Sequence, residues 1–191
     1  TGGGKASLAG KNVEVIAMHR DGREFPVELG IAAWQGRTGM EFGAHMRDIS
    51  ARRAREAKLH HLAHYDNLTG FLNKNGFMEH VDDWLRDYGT ASLLVLDLDG
   101  FKSVNNTLGY AVGNALLQTI AVRMTACVEG GAIIGRMGGD EFGLLVSCGS
   151  DLVAAGAMAR ALLDALSQPF QVAHHYLQVE ASIGIAVAPL H

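Results

Sequence analysis

Apolar and polar residues alternate with a period of two over residues 13–19 and again over 24–31, and Arg20-Asp21-Gly22-Arg23 between them carries an Asp-Gly pair. That pattern predicts a β-hairpin, because successive strand side chains face opposite sides and Asp-Gly accepts the positive φ of a tight connection. A third strand, 40–46, follows Gly36–Gly39. Residues 51–64 contain no Pro or Gly and are rich in helix formers, with Ile49, Leu59, Leu62 and Ala63 as sparse apolar positions; they predict a largely solvated helix.

Beyond residue 65 helices and strands alternate. Asn73 is placed to cap a helix running to about Tyr88, with Phe77, Val81, Trp84 and Leu85 on one apolar face and Trp84 read as core. A buried-strand run follows at 91–96, then a helix near 112–128, short strands at 132–134 and 142–146, a helix at 151–166, and strands at 170–172 and 177–188 about a turn at His174-His175. Periodicity does not order these strands in a sheet.

Chemistry gathers at two strand ends. Gly138-Gly139-Asp140-Glu141 lies between the strands 132–134 and 142–146, so it reads as a hairpin tip; its glycines, Gly139 included, admit positive φ and the approach of a bulky ligand to the backbone. Adjacent carboxylates at such a tip suit a hard divalent cation, and a solvated turn is the plain alternative. The run 91–96 ends in Asp97-Leu98-Asp99-Gly100-Phe101-Lys102. An acid at a strand end, a glycine loop and a lysine suit a metal-bound triphosphate, with Asp97 for the ion and Lys102 and free backbone N–H groups for phosphate oxygens. No Walker A pattern is present. Two acidic clusters at strand ends would let one sheet present a two-metal phosphoryl-transfer site.

Charge sharpens this picture. Residues 1–64 hold 10 Lys/Arg against 7 Asp/Glu, whereas 65–191 hold 6 against 13. An acidic domain needs cations to receive a polyphosphate, and its few aromatics fall at core spacing, which argues against nucleic acid as a partner. No apolar run approaches a membrane span and no signal peptide opens at Thr1, so the expectation is a cytoplasmic segment without direct membrane contact. Cys127 and Cys148 form no CxxC pair and read as buried free thiols. His60 and His64 lie one helical turn apart without a third ligand, so a solvated helix face is the better reading than a metal site.

Four runs then occur in order: Asp66-Asn67-Leu68-Thr69-Gly70-Phe71-Leu72-Asn73-Lys74, similar to DxLTGLxNR; Asp97 to Asn114; Gly138 to Phe142; and Ala181-Ser182-Ile183-Gly184-Ile185-Ala186. Together they resemble a GGDEF domain, the diguanylate cyclase module that condenses GTP into cyclic di-GMP. The resemblance implies an α/β (α+β) fold like the adenylyl cyclase catalytic core, with a mostly antiparallel central sheet flanked by helices. It implies that Asp97, the Leu98 carbonyl and Asp140 hold Mg²⁺ (or Mn²⁺), with Glu141 as a further ligand. Lys102 and the Gly100, Phe101 and Lys102 backbone would bind phosphate, and Asn105 and Asn114 would read guanine. Asp97, Asp140, Glu141 and Lys102 are the catalytic candidates, acting between facing protomers of a homodimer.

The departures are specific. Asn114 stands where the family has an Asp that accepts from guanine N1 and N2, and Asn106 and Tyr110 replace an Asp and a His. Lys74 replaces an Arg that would pair with Asp66. The family's product-inhibition motif Arg-x-x-Asp falls on Glu129-Gly130-Gly131-Ala132, so feedback inhibition is expected to be absent; Arg136 is expected to support the hairpin through a local ion pair. The family's later helix and strand, with a phosphate-gripping Lys and Arg, would follow Pro189-Leu190-His191, so a fragment is expected. Strands 13–46 and Arg47-Asp48-Ile49-Ser50 resemble the end of a PAS sensor domain of unreadable ligand. The expected domains are therefore 1–47 (PAS strands), 48–64 (signalling helix) and 65–191 (GGDEF), giving a sensor-coupled diguanylate cyclase. The alternative is a degenerate GGDEF module that binds GTP or dimerises to regulate a downstream EAL phosphodiesterase domain.

Overall fold

In this computed structural model the structure describes residues 12–128, 132–147 and 150–189. The chain divides into two compact units, Thr1–His60 and His61–His191. The first holds a three-stranded antiparallel sheet in the order β1 (Asn12–Met18), β2 (Glu24–Gln35), β3 (Met40–Asp48). Its core is small: Val27 and Ile49 are buried, whereas Ile16, Met18, Met40, Phe42 and Met46 stay exposed. Asp48 starts α1 (Ser50–His64) by accepting from the Ser50 amide at 2.8 Å, and the Ile49 amide donates to the Pro26 carbonyl at 3.1 Å. Glu14 of β1 pairs with both Arg52 and Arg53, the latter at 2.6 Å. The unit boundary falls inside α1, four residues before the division expected at 64/65.

The second unit is built on a five-stranded sheet in the order β10-β5-β7-β6-β4. Its strands are β4 (Leu72–Asn73), β5 (Ala91–Asp99), β6 (Ala132–Gly138), β7 (Glu141–Val146) and β10 (Glu180–Ala188). Only β4–β6 is parallel among these pairs. On one face Leu94, Leu96 and Leu98 of β5 and Phe142, Leu144 and Val146 of β7 pack with Leu116, Leu117, Ile120 and Met124 of α4 (Tyr110–Val128) and Leu162 of α5 (Leu152–Leu166). On the other, Leu145 packs with Phe77 and Val81 of α2 (Lys74–Tyr88). Helices on both faces follow from strands that carry apolar residues on both sides.

Caps set the helix ends. Asn73 sits at φ −77° and accepts from the Gly76 amide at 3.0 Å, while Gly89, at φ 70°, closes α2 by donating to the Leu85 carbonyl at 2.9 Å. Asp151 caps α5 through the Val153 and Ala154 amides. Trp84 packs against the second core cluster and donates to the Thr90 carbonyl at 3.0 Å, as expected of a core tryptophan.

Three expectations need correction. The stretch before α4 is a second helix, α3 (Phe101–Leu108), broken from α4 by Gly109 at φ 86°. The expected strand 177–188 is two strands, β9 (His175–Leu177) and β10, with β8 (Phe170–Val172) paired to β9 so that Val172 faces His175. The turn is therefore Ala173-His174, and His175 belongs to the ladder. Cys127 is a free thiol packed against the core, and Cys148 lies outside the described residues.

Gly135 and Gly143 admit α2 onto the sheet. A Cβ at Gly135 would lie 2.6 Å from Phe77 Cβ and 2.7 Å from its Cγ. Gly135→Ala should therefore destabilise the second unit by about 1–3 kcal/mol, the usual range for overpacking. Urea denaturation should show a lower midpoint at unchanged slope; an unaltered midpoint would mean that α2 yields without strain.

Candidate functional site

The alternation of β5 creates the site. Leu94, Leu96 and Leu98 point into the main core, so Val95, Asp97 and Asp99 take the opposite face. Register then decides their neighbours: Asp97 lies opposite Glu141 of β7 on one side and Ser182 of β10 on the other. Ser182 Oγ donates to Asp99 at 3.0 and 3.3 Å. The β6–β7 connection leaves Gly139 and Asp140 at its tip, with Gly138 at φ 143°, Gly139 at φ 55° and a register shift between Arg136 and Gly138. Any residue with a Cβ would be strained at those glycines. Asp97, Asp140 and Glu141, acids from two separate runs, thus converge at one end of the sheet.

Their electrostatics show the convergence. Desolvation pushes the Asp97 carboxyl above its ordinary value, and Asp140, Glu141 and Asp99 add repulsion. Among the described residues no three His, Cys, Asp or Glu side chains are grouped to enclose a metal ion by themselves. Mg²⁺ ordinarily takes one or two carboxylates and completes its shell with carbonyls, water and phosphate oxygens, so this donor set fits a cation shared with a phosphate ligand. The Leu98 side chain is in the core, which limits it to its carbonyl.

Phosphate and base candidates sit on α3 and α4. Gly100, at φ 74°, turns the chain into α3, whose first amides have no intrahelical acceptor. Phe101 is buried in the main core and can offer a ligand only its backbone, while Lys102 on the same turn is exposed. Asn105 Oδ1 is buried without a hydrogen-bond partner and lies against Gly113, where a Cβ would come within 1.9 Å of it. An orphaned amide oxygen in the α3–α4 crevice calls for a donor. Asn114 is exposed on the first turns of α4. A cleft of about 350 Å³ is lined by Asp99, Glu180, Asp164 and Ser167, and a larger one, lined by residues that include His19, Phe25 and Asp48, belongs to the first unit.

The sequence reading missed one contact. Arg136 donates from Nε and Nη2 to the Gly139 carbonyl, at 3.0 and 2.6 Å, and from Nη1 to both Asp66 oxygens at 3.2 Å. Its ion pair is therefore not local, and Asp66 is not left short of a partner by Lys74: the guanidinium comes from β6. Burial pushes Asp66 up, but the Thr69 hydrogen bonds and the Arg136 charge outweigh it and hold the carboxyl below its ordinary value. The only sequence signal was Asp66 and Thr69 in one motif and Arg136 beside another. His64 pairs with Glu79 at 3.0 Å. Of the inhibitory positions, 129–131 lie outside the described residues.

Residues 63–191 match the family model for the diguanylate cyclase GGDEF domain. The bifunctional diguanylate cyclase/cyclic di-GMP phosphodiesterase MucR of Pseudomonas aeruginosa is 39% identical over 132 residues, covering 67% of this chain and 19% of MucR. The cyclic di-GMP phosphodiesterase PdeR of Escherichia coli is 33% identical over 146 residues, covering 75% of this chain and 22% of PdeR. The chain thus spans about a fifth of the length of these relatives. The solved GGDEF domain of TpbB (YfiN) from Pseudomonas aeruginosa superposes with a TM-score of 0.64 at 29% identity, over 67% of this chain and 77% of that one.

A raised Asp97 value has a definite sign. Protonated Asp97 stabilises the fold below the ordinary carboxylate range, and this contribution disappears as pH rises through the raised value. In chelator at neutral pH, Asp97→Asn should melt at a higher temperature than the parent protein, and the gap should close on acidification. Melting curves across pH test this; equal melting temperatures at neutral pH would show that the carboxylate carries no strain.

Proposed function

The chain belongs to the GGDEF, or diguanylate cyclase, family, and from that premise we propose that it carries the active half-site of a sensor-coupled, cytoplasmic cyclase condensing two GTP molecules into cyclic di-GMP. The observation that carries this reading is the meeting of Asp97, Asp140 and Glu141 at one sheet end beside the α3 N-terminus and Lys102. Asp97, the Leu98 carbonyl and Asp140, with Glu141, would hold Mg²⁺ or Mn²⁺. When bound, such an ion neutralises charge on the phosphates and eases loss of the 3′-hydroxyl proton. Lys102 and the Gly100–Lys102 backbone orient the triphosphate. Asn105 and Asn114 face the guanine, and Gly139 lets the substrate lie close to the hairpin. The 3′-oxygen of one GTP attacks the α-phosphate of the other and pyrophosphate leaves, so two facing protomers are needed. In this reading 1–47 is the end of a PAS sensor and 48–64 the signalling helix.

A second reading has its own support. Asn114 offers one acceptor and one donor group where guanine presents two donors, which could cost about 1–3 kcal/mol of binding. PdeR and MucR carry phosphodiesterase activity in their names. A GTP-binding or dimerising module that regulates a downstream EAL domain accommodates both points. The intact Asp97, Lys102, Asp140 and Glu141 favour the cyclase.

Mg²⁺-GTP binding and cyclic di-GMP formation by the full-length protein separate these. Asp140→Ala should abolish product while leaving the fold intact, and near-parental turnover would remove its assigned role. Asn114→Asp should tighten GTP binding by up to about 1–3 kcal/mol. A matching rise in turnover at low GTP supports the cyclase, tighter binding without product supports the regulatory module, and unchanged affinity removes Asn114 from the base site.

A further inference from the structure

Asp99 ends β5 among charges of its own sign. The antiparallel register sets Glu180 of β10 directly opposite it, Asp97 shares its sheet face two residues earlier, and Gly100, at φ 74°, turns the chain into α3 immediately after it. Like charges opposed across a strand pair repel. Ser182 meets this carboxylate from the outer strand: paired with Asp97 in the register, its hydroxyl reaches diagonally to the Asp99 oxygens, at 3.0 and 3.3 Å. Asp99, Glu180 and Ser182 are all exposed, so packing does not fix the carboxylate and the hydrogen bond is left to do so.

The α3 N-terminus shows why its direction matters. Gly100 stands at the cap position and provides no side-chain hydrogen bond to the first amides of the helix. A carboxylate next to such a terminus is itself a capping group, drawn there by the amides and the helix dipole. Asp99 is the adjacent acid, and Ser182 holds it toward β10 instead.

We propose that Ser182 is a positioning residue: its hydroxyl keeps the Asp99 carboxylate on β10, which leaves the first amides of α3 uncapped and open to a phosphate. Released from Ser182, Asp99 is pushed by Glu180 and Asp97 toward the free amides, where it excludes phosphate by occupying the donors and by its charge. The phosphate in this role rests on the cyclase reading.

Binding of the full-length protein to Mg²⁺ with α,β-methylene-GTP, which cannot lose its leaving group, tests the proposal alongside steady-state kinetics with GTP. Ser182→Ala should weaken binding of the analogue about tenfold. KM for GTP should rise by a similar factor while the turnover number at saturation changes little. Ser182→Thr, which keeps the hydroxyl, should bind as the parent does. In an Asp99→Asn background Ser182→Ala should cost less than about twofold, because there is no carboxylate left to hold. Unchanged affinity in Ser182→Ala overturns the proposal, and so does an equal loss with and without the Asp99 carboxylate, or a fall in turnover number alone. If the parent binds the analogue but forms no product from GTP, the cyclase reading falls and the binding cycle alone decides the role of Ser182; if the parent binds neither nucleotide, both fall.

Discussion

The pairing of β5 with β7 places Asp97 opposite Glu141, and the candidate site depends on that register. It is enforced from the other face of the sheet. Leu94, Leu96 and Leu98 on β5 and Phe142, Leu144 and Val146 on β7 are all buried in one cluster. A slip by one residue would turn those side chains to the opposite face and move the acids into the main core, which apolar burial and the cost of desolvating charge both forbid. The same hydrophobic packing that makes the fold therefore crowds the carboxylates.

Crowding like charges costs stability, and the neighbouring structure offsets it only in part. Ser182 answers Asp99, and Arg136 holds the peptide before Asp140, while Asp140 and Glu141 still repel Asp97. Asn105 adds a buried oxygen without a donor. Strain and unmet polar groups of this kind are found where a ligand completes the structure.

The two units differ in how far they complete themselves. The second has two core clusters and helices on both faces of its sheet. The first buries Val27 and Ile49 and leaves Phe42, Met40 and Met46 exposed on its outer strand. A three-stranded sheet with an open apolar face is near the lower limit of independent stability, and its attachment to α1 rests on polar contacts, the Asp48 cap and the Glu14–Arg52/Arg53 pairs.

Local signals were legible where the physics is local. Asn73 as a cap, the helix end near Tyr88, the two hairpins and the buried-strand run at 91–96 all follow from interactions within a few residues, so residue order alone determined them. The motifs pointed to the family and, through it, to Asp97, Lys102, Asp140 and Glu141. The short α3 was missed because Gly100 and Gly109 interrupt the helical pattern, and β9 was missed because three residues give too little periodicity. Tertiary structure alone decided that Asp66 meets Arg136 across 70 residues, that Phe101 offers only backbone, and that Asn105 lies against Gly113 without a donor. These depend on which strand pairs with which and on where a helix crosses a glycine, quantities set by the packing of the whole core and carried by no short stretch of sequence.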